Sequence, residues 1–426
     1  MTRTPDTLQG WLETLEVRAG ASIRLGLERV ASVRDALGAR SDAVVITVGG
    51  TNGKGSTCAM LESILMAAGY RVGCYTSPHL LRYNERVRID GREVGDETLV
   101  AAFAAVERVR GDVPLTYFEQ GTLAAWQAFC GHALDVIILE VGLGGRLDAV
   151  NVFEPDCAIV TGVAMDHMDY LGDTREKIAV EKAGIFRAGR PAICSDPMTP
   201  AALIGHATQI GADLRLVGRD FGYSGDRTQW SWWSRDGRRR GGLAYPSLRG
   251  ANQLLNASAV LMALETLRGR IPVSMQAVRE GLMLVELPGR FQVLAGKPSI
   301  VLDVAHNPQA AGVLAENLSN MGYFPETWAV FGMLADKDVE GVVALLRDRI
   351  DHWMLAGLSG PRGLSAEALA GRLRDAGVTA DLRCFVRPAE AFAAARTSAG
   401  EGDRIVAFGS FLTVAGVLGA VRAARH

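Results

Sequence analysis

The amino-acid sequence predicts an α/β fold in two domains, each with helices around a central, mostly parallel sheet. Three observations predict it. Short apolar runs bounded by Gly, Pro or polar residues alternate with longer helical patterns. Two of the runs, 135–141 (DVIILEV) and 156–163 (DCAIVTGV), lack the alternation of a half-exposed strand, as in a sheet covered on both faces. The chain has 426 residues, whereas one core seldom grows beyond roughly 250–300.

In chain order, residues 43–48 (AVVITV) read as a buried strand, 54–68 as a helix behind a glycine-rich turn, and 71–76 as a further strand. Residues 229–233 (QWSWW), the turn Asp236-Gly237 and 238–240 read as a β-hairpin, exposed at a domain edge. Helical patterns at 251–267 and 274–284 stop at 286–290 (ELPGR), a boundary signal. Beyond it, strands at 299–304, 327–331, 352–356 and 404–408 alternate with helices at 309–319, 339–346, 365–376, 388–395 and 412–424. The expected division is a first domain at 1–287, a linker at 288–297 and a smaller α/β domain at 298–426. There is no internal repeat.

Charge is balanced, with 45 Lys+Arg against 47 Asp+Glu. That excludes the basic footprint of a nucleic-acid or anionic-membrane partner, even though the hairpin carries tryptophans and arginines. The six cysteines are scattered without CxxC spacing, which argues against a zinc site or a disulfide framework and for a reducing compartment. The stretch MTRTPDTLQGWLETLE has no apolar core of a signal peptide, and no run approaches the ~18 apolar residues of a membrane span. A cytoplasmic monomer is expected.

The strongest local signal is 48–57 (VGGTNGKGST), where a buried strand enters a Gly-rich turn and a helix starts at the lysine. Such a turn points backbone N–H groups at phosphate oxygens, and the helix N-terminus adds its positive end. Thr51, Asn52, Gly53, Lys54, Gly55, Ser56 and Thr57 are therefore candidate ATP-binding residues. Lys54 supplies a cation for the β/γ-phosphates, and Ser56 or Thr57 a hydroxyl for a phosphate or Mg²⁺. The pattern departs from GxxxxGK[ST], with Val48 and Gly55 where Gly and Ser or Thr would stand, which counts against ordinary P-loop kinases and GTPases.

GGTNGKGST resembles the loop of the folylpolyglutamate synthase/dihydrofolate synthase family, a branch of the Mur ligases. The resemblance continues through TSPHL (76–80) with NERV (84–87), LEVGLGGRLD (139–148), MDH (165–167) with Leu171-Gly172, and EKAGI (181–185). It extends into PGRF (288–291), DVAHNP (303–308), GMLADKD (332–338) and GSF (409–411). It implies a P-loop ATPase domain followed by a smaller Rossmann-like domain. It also implies a reaction in which ATP phosphorylates the carboxylate of dihydropteroate or tetrahydrofolate and the amine of L-glutamate attacks the acyl phosphate.

The resemblance also implies roles. Ser77, Glu140 and His167 become ligands of Mg²⁺ or Mn²⁺, a plausible mixed oxygen and imidazole set; read alone, Glu140 at the end of a buried strand is equally a salt-bridge partner for Arg146. Lys182 becomes a catalytic lysine that the family often carbamylates, where the plain reading is a solvated charge pair with Glu181. Catalytic roles are expected for Lys54, Lys182, His167 and Arg86. Arg290, Asp303 and His306 are expected to reach ATP on closure of the smaller domain, with Asn256 near the adenine, although Asp303 alone would pass for a helix cap. Arg86 and Ser410 are candidates for glutamate carboxylates, and Phe118, Thr122, Asp148 and Ala149 for the pterin. TSPHLLRYNERV, LTYFEQGTLAAW and FGMLADKD look like the bacterial members that also make dihydrofolate. A muramyl ligase remains open, although Gly55 stands where those carry Thr after the loop lysine. So does a nucleotide switch or kinase that forms no amide.

Overall fold

The protein is described by a computed structural model covering residues 5–19, 24–226, 228–250 and 252–424. The chain forms two compact units. One runs to Ser247 and resumes at Leu254–Val285; the other takes Leu248–Gln253 and everything from Glu286.

The first unit contains helices α1 (Leu8–Ala19), α2 (Glu28–Leu37), α3 (Lys54–Ala67), α4 (Asp96–Arg110), α5 (Tyr117–Cys130), α6 (Met168–Leu171), α7 (Arg175–Ala183), α8 (Ala201–Ile210), α9 (Gln253–Thr266) and α10 (Met275–Leu284). Its main sheet uses β1 (Val44–Gly49), β2 (Val72–Tyr75), β3 (Val87–Ile89), β4 (Arg92–Glu93), β5 (Val136–Glu140), β6 (Cys157–Val160), β7 (Pro191–Cys194) and β8 (Asp213–Leu216). Their order is β4-β3-β2-β5-β1-β6-β7-β8. The six strands from β2 to β8 in that order are parallel, and β3 and β4 add an antiparallel edge.

Successive side chains point to opposite faces of a strand, and here both faces are covered. Val45, Ile137, Leu139 and Val160 join a core with α1, α2, α4 and α5, in which Trp11 stacks on Phe103 at 5.7 Å. On alternate positions Ile46, Val48 and Ile138 are also fully buried, and α3 packs on β1, β2 and β5. Helix α10 lies so close on α3 that a Cβ at Gly281 would overlap the Ile64 backbone, and Ser63 Oγ donates to Gly281 O at 2.8 Å. Side-chain burial on this scale contributes ~25 cal/mol per Å² of apolar surface, which sets the register of the central strands.

The hairpin is one part of a three-stranded antiparallel sheet, β9 (Phe221–Gly225), β10 (Trp230–Ser234) and β11 (Arg239–Leu243). It is not the exposed appendage expected from its composition. Trp230 and Trp232 alternate inward and are fully buried, and Trp232 Nε1 donates to Ser258 O on α9 at 3.2 Å. The predicted helix start, Ala251, lies outside the described residues.

The second unit holds β12 (Gln292–Leu294), β13 (Ser299–Leu302), α11 (Pro308–Asn320), β14 (Thr327–Phe331), α12 (Val339–Leu346), β15 (His352–Ala356), α13 (Ala366–Asp375), β16 (Asp381–Phe385), α14 (Pro388–Ser398), β17 (Arg404–Phe408) and α15 (Phe411–Ala423). The sheet order is β12-β13-β17-β14-β15-β16, parallel except for β12. The stretch expected as a linker at 288–297 thus contains a strand of this sheet, with Val293 beside Val301. No helix among the described residues is long and apolar enough to cross a membrane.

Candidate active site

Neighbouring parallel strands of the first sheet deliver the candidate residues at their C-terminal ends, where α/β sheets bind ligands. Strand β1 leads into the glycine-rich loop, β5 ends in Glu140 beside Val48, β2 leads to Ser77, and β6 leads into the 161–167 loop.

The loop is stitched to the segment after β6. Thr51 N donates to Gly162 O at 2.8 Å, Ala164 N to Thr51 Oγ1 at 3.0 Å, and Thr161 Oγ1 to Asn52 O at 2.6 Å. Gly50 has φ 137°, and a Cβ there would overlap Thr161 Oγ1 and stand 3.0 Å from Thr161 N, so only glycine fits. Lys54 opens α3 and curls back, its Nζ donating to Gly50 O at 3.2 Å and Thr51 O at 3.1 Å. Its ammonium thus stands over the loop rather than in solvent. Ser56 and Thr57 are buried in the first turn, and the Thr57 hydroxyl is a buried polar group without a hydrogen-bond partner. Asn256 on α9 meets the loop itself: a Cβ on Gly53 would lie 2.6 Å from its Oδ1.

Glu140 is 3% exposed, and its Oε2 accepts from Ser77 N at 3.0 Å. The salt bridge to Arg146 that its sequence position allowed is not formed, because Arg146 Nη2 donates to Glu181 Oε1 at 2.8 Å. His167 caps α6 with φ 50°, a left-handed conformation uncommon in a non-glycine residue. It follows the segment that Ala164 ties to the loop, and its N–H donates to Asp166 Oδ1 at 2.9 Å. A hydroxyl, a carboxylate and an imidazole suit Mg²⁺ or Mn²⁺ with water completing the shell. Among the described residues no group of three or more His, Cys, Asp or Glu forms a protein-only metal cage.

Lys182 on α7 is 3% exposed, not the solvated partner of Glu181. Burial, reinforced by the Lys54 charge, lowers its pKa to about 7, against the pull of Asp166 and Asp148. The Asp148 carboxyl is also buried, and desolvation raises its pKa to about 6 despite N–H bonds from Leu143 at 2.8 Å and Val150 at 3.0 Å. Phe118 lies flat on the backbone after β5, where a Cβ at Gly142 would stand 2.6 Å from its ring. Tyr75 links this group: its ring is 6.0 Å from Phe118 and its hydroxyl accepts from Thr122 Oγ1 at 3.3 Å. Phe118, Thr122, Asp148 and the buried Ala149 are thereby gathered, with Tyr75 added.

Arg86 ends a short 3₁₀ turn, Tyr83–Arg86. Its Nε donates to His79 Nδ1 at 2.8 Å, and its guanidinium sits 5.3 Å from the Tyr83 ring centre and 5.7 Å from that of Tyr117. Burial, then the Arg86 charge, pushes the His79 pKa down to about 4. His79, Tyr83 and Tyr117 fall within TSPHLLRYNERV and LTYFEQGTLAAW, but nothing in those stretches assigns them a role.

In the second unit, Asp303 accepts from Phe291 N at 2.9 Å and Ala305 N at 2.8 Å, and burial raises its pKa. It is not a helix cap, since Asn307 takes that role for α11 by accepting from Ala310 N. Arg290 lies 5.0 Å from the Phe411 ring centre and His306 6.4 Å from it, so Phe411 joins the group. Ser410 is buried and caps α15, its Oγ accepting from Leu412 N at 3.2 Å.

Apart from these residues, a polar cavity of about 300 Å³ opens between the three-stranded sheet and α9. Its charges neutralise one another, with Glu265 met by Arg238, Arg240 and Arg268, and it contains none of the predicted site residues.

The Mur ligase middle domain family matches residues 48–195, and the Mur ligase glutamate ligase domain family matches 289–411. The chain is 44% identical to the dihydrofolate synthase/folylpolyglutamate synthase of Escherichia coli, over 99% of this chain and 98% of that one. It is 40% identical to the Haemophilus influenzae protein of the same name, over 96% of each. Among solved structures, Escherichia coli FolC in complex with DHPP and ADP superposes with a TM-score of 0.94 over 100% of both chains at 44% identity. The Yersinia pestis bifunctional folylpolyglutamate synthase/dihydrofolate synthase complexed with AMPPNP and Mn gives 0.90 at 44% identity, over 99% of this chain and 100% of that one.

Proposed function

The chain belongs to the dihydrofolate synthase/folylpolyglutamate synthase family of Mur ligases, and from that premise we propose how its own residues share the work. It is an ATP-dependent acid–amino-acid ligase. It joins L-glutamate to dihydropteroate, giving dihydrofolate, and to the γ-carboxylate of tetrahydrofolate, giving polyglutamates.

A carboxylate oxygen of the acceptor attacks the γ-phosphorus of ATP, the bond to the β–γ bridging oxygen breaks, and ADP leaves. The glutamate amine then attacks the carbonyl carbon of the acyl phosphate, loses a proton, and phosphate departs. Nothing in this sequence needs a protein nucleophile, so catalysis is positioning and charge. The loop from Thr51 to Thr57 cradles the polyphosphate with its N–H groups, and Lys54 meets the β/γ-phosphates. Ser77, Glu140 and His167 hold Mg²⁺ or Mn²⁺, which when bound neutralises phosphate oxygens. Lys182, carbamylated, adds an anionic group beside them. Phe118, Thr122, Asp148 and Ala149 receive the pterin, and Arg86 a glutamate carboxylate. Asn256, Arg290, Asp303 and His306 serve the nucleotide, and Ser410 the glutamate. We place the enzyme in the cytoplasm, as a monomer; its six free thiols support a reducing compartment.

One observation supports this division above the others: the phosphate loop, Glu140 and Ser77 lie at the same ends of adjoining parallel strands, with Glu140 tied to Ser77. The test is ADP release with labelled L-glutamate, supplying dihydropteroate or tetrahydrofolate in parallel. ADP formed only with acceptor and glutamate together, with label in the folate product, is the expected result. Nucleotide turnover without either compound, or only with a UDP-sugar, would replace this reading by a switch or a muramyl ligase.

A further inference from the structure

We propose that His79 is a positioning residue for glutamate recognition, holding the Arg86 guanidinium so that its free edge is presented as a preformed carboxylate fork. The inference rests on the reading of Arg86 as a carboxylate contact and assigns what makes that contact selective.

Arginine has only donors, so the 2.8 Å contact from Arg86 Nε requires a lone pair on His79 Nδ1. Two rings flank the guanidinium on one side, Tyr83 at 5.3 Å and Tyr117 at 5.7 Å, their own centres 6.1 Å apart and nearly perpendicular. Tyr83 is itself anchored, 5.7 Å from Phe103 in the core. With Nε tied and both rings in place, the group has little rotational freedom left. Its Nη1 and Nη2 edge bonds no acceptor among the described residues.

The neighbouring carboxylate is turned away. Glu85 accepts from the N–H groups of Leu80 at 2.6 Å, Leu81 at 2.7 Å and Arg82 at 2.8 Å. It thereby fixes the turn that carries His79 and leaves Arg86 without a carboxylate partner among the described residues. A half-buried cation flanked on one side by two aromatic rings, with its forked edge unpaired among the described residues, suits a carboxylate bidentately. That edge is aimed by His79, because two rings on one side leave the guanidinium free to slide and turn, whereas the 2.8 Å bond at Nε fixes its direction.

The experiment uses the full chain at saturating ATP, Mg²⁺ and folate acceptor, with L-glutamate varied. Asn places an acceptor oxygen where His carries Nδ1, whereas Gln carries its amide one bond further out. His79→Asn is therefore expected to keep the glutamate KM within about twofold, and His79→Gln and His79→Leu to raise it roughly tenfold, the scale of one charged hydrogen bond. The kcat and the KM for ATP should stay within about twofold in all three. In an Arg86→Ala background, His79→Leu should add nothing, since its effect passes through the guanidinium.

Equal behaviour of Asn and Gln, or an added loss on top of Arg86→Ala, would overturn the positioning role while leaving Arg86 in place. An Arg86→Ala enzyme with an unchanged glutamate KM would instead overturn the assignment of Arg86, and the inference with it. Should His79→Leu not fold, the Asn-against-Gln comparison decides alone.

Discussion

Ser77 N–H donates to Glu140 Oε2 at 3.0 Å, so the segment leaving β2 and the last residue of β5 are locked together beside the phosphate loop. A buried carboxylate is stable only when its charge is compensated. The Ser77 N–H supplies part of that compensation and also orients the carboxylate. The Glu140 oxygens are thus aimed by a backbone donor rather than left to rotate.

Lys54 bridges two loop carbonyls, Gly50 O and Thr51 O. Lys54→Ala should lower kcat by ~10²–10³ or more, the usual loss when a charge-stabilising contact is removed. The melting temperature should hardly change, since no core contact is lost. Turnover near the wild-type rate would remove this lysine from the mechanism.

Gly50 is one of the positions where the loop meets the segment after β6. Gly50→Ala combines a left-handed φ of 137° with a Cβ overlapping Thr161 Oγ1. It should cost about 1–3 kcal/mol of local strain and weaken ADP binding measured by calorimetry. Adding Thr161→Ala should restore little, because Thr161 N would still lie 3.0 Å from the new methyl. Full recovery in the double variant would show that only the side chain excluded the methyl.

Lys182 releases its proton near pH 7 in the folded chain and at 10.5 when unfolded. Between those values the unfolded chain binds more protons, so stability of the unmodified protein should rise with pH from about 7 toward 10.5, and Lys182→Met should flatten that slope in urea titrations. The neutral amine is also the form that reacts with CO₂. The mass gain of one CO₂ in bicarbonate should therefore fall as pH drops through about 7, and its absence at pH 8–9 would reject the carbamate.

The first sheet was legible because its central strands are buried on both faces and appear as unbroken apolar runs, as in Val136–Glu140. Helix α5 was not read as one. It is buried around nearly its whole circumference from Glu119 to Trp126, so no polar stripe marks a helical period. The edge strand Asp381–Phe385 was also unread, since it is largely exposed and alternates weakly. The loop could be named from sequence because it follows a recognisable buried strand, and Glu140 and Ser77 because the family resemblance covers them. His79 could not, because its meaning lies in one bond to Arg86 across a turn. Asn256, expected near the adenine, lies against Gly53 of the loop, a contact made through a helix some two hundred residues further along the chain.

The central claim is that Glu140, with Ser77 and His167, holds the divalent ion facing the polyphosphate loop. Mn²⁺ titration of the enzyme with a non-hydrolysable ATP analogue, followed by electron paramagnetic resonance, tests it most directly. Wild type should bind Mn²⁺ tightly, and Glu140→Gln, which keeps an acceptor for Ser77 N–H but loses the charge, should bind it at least roughly tenfold more weakly. A Glu140→Gln titration superimposable on wild type would contradict the claim.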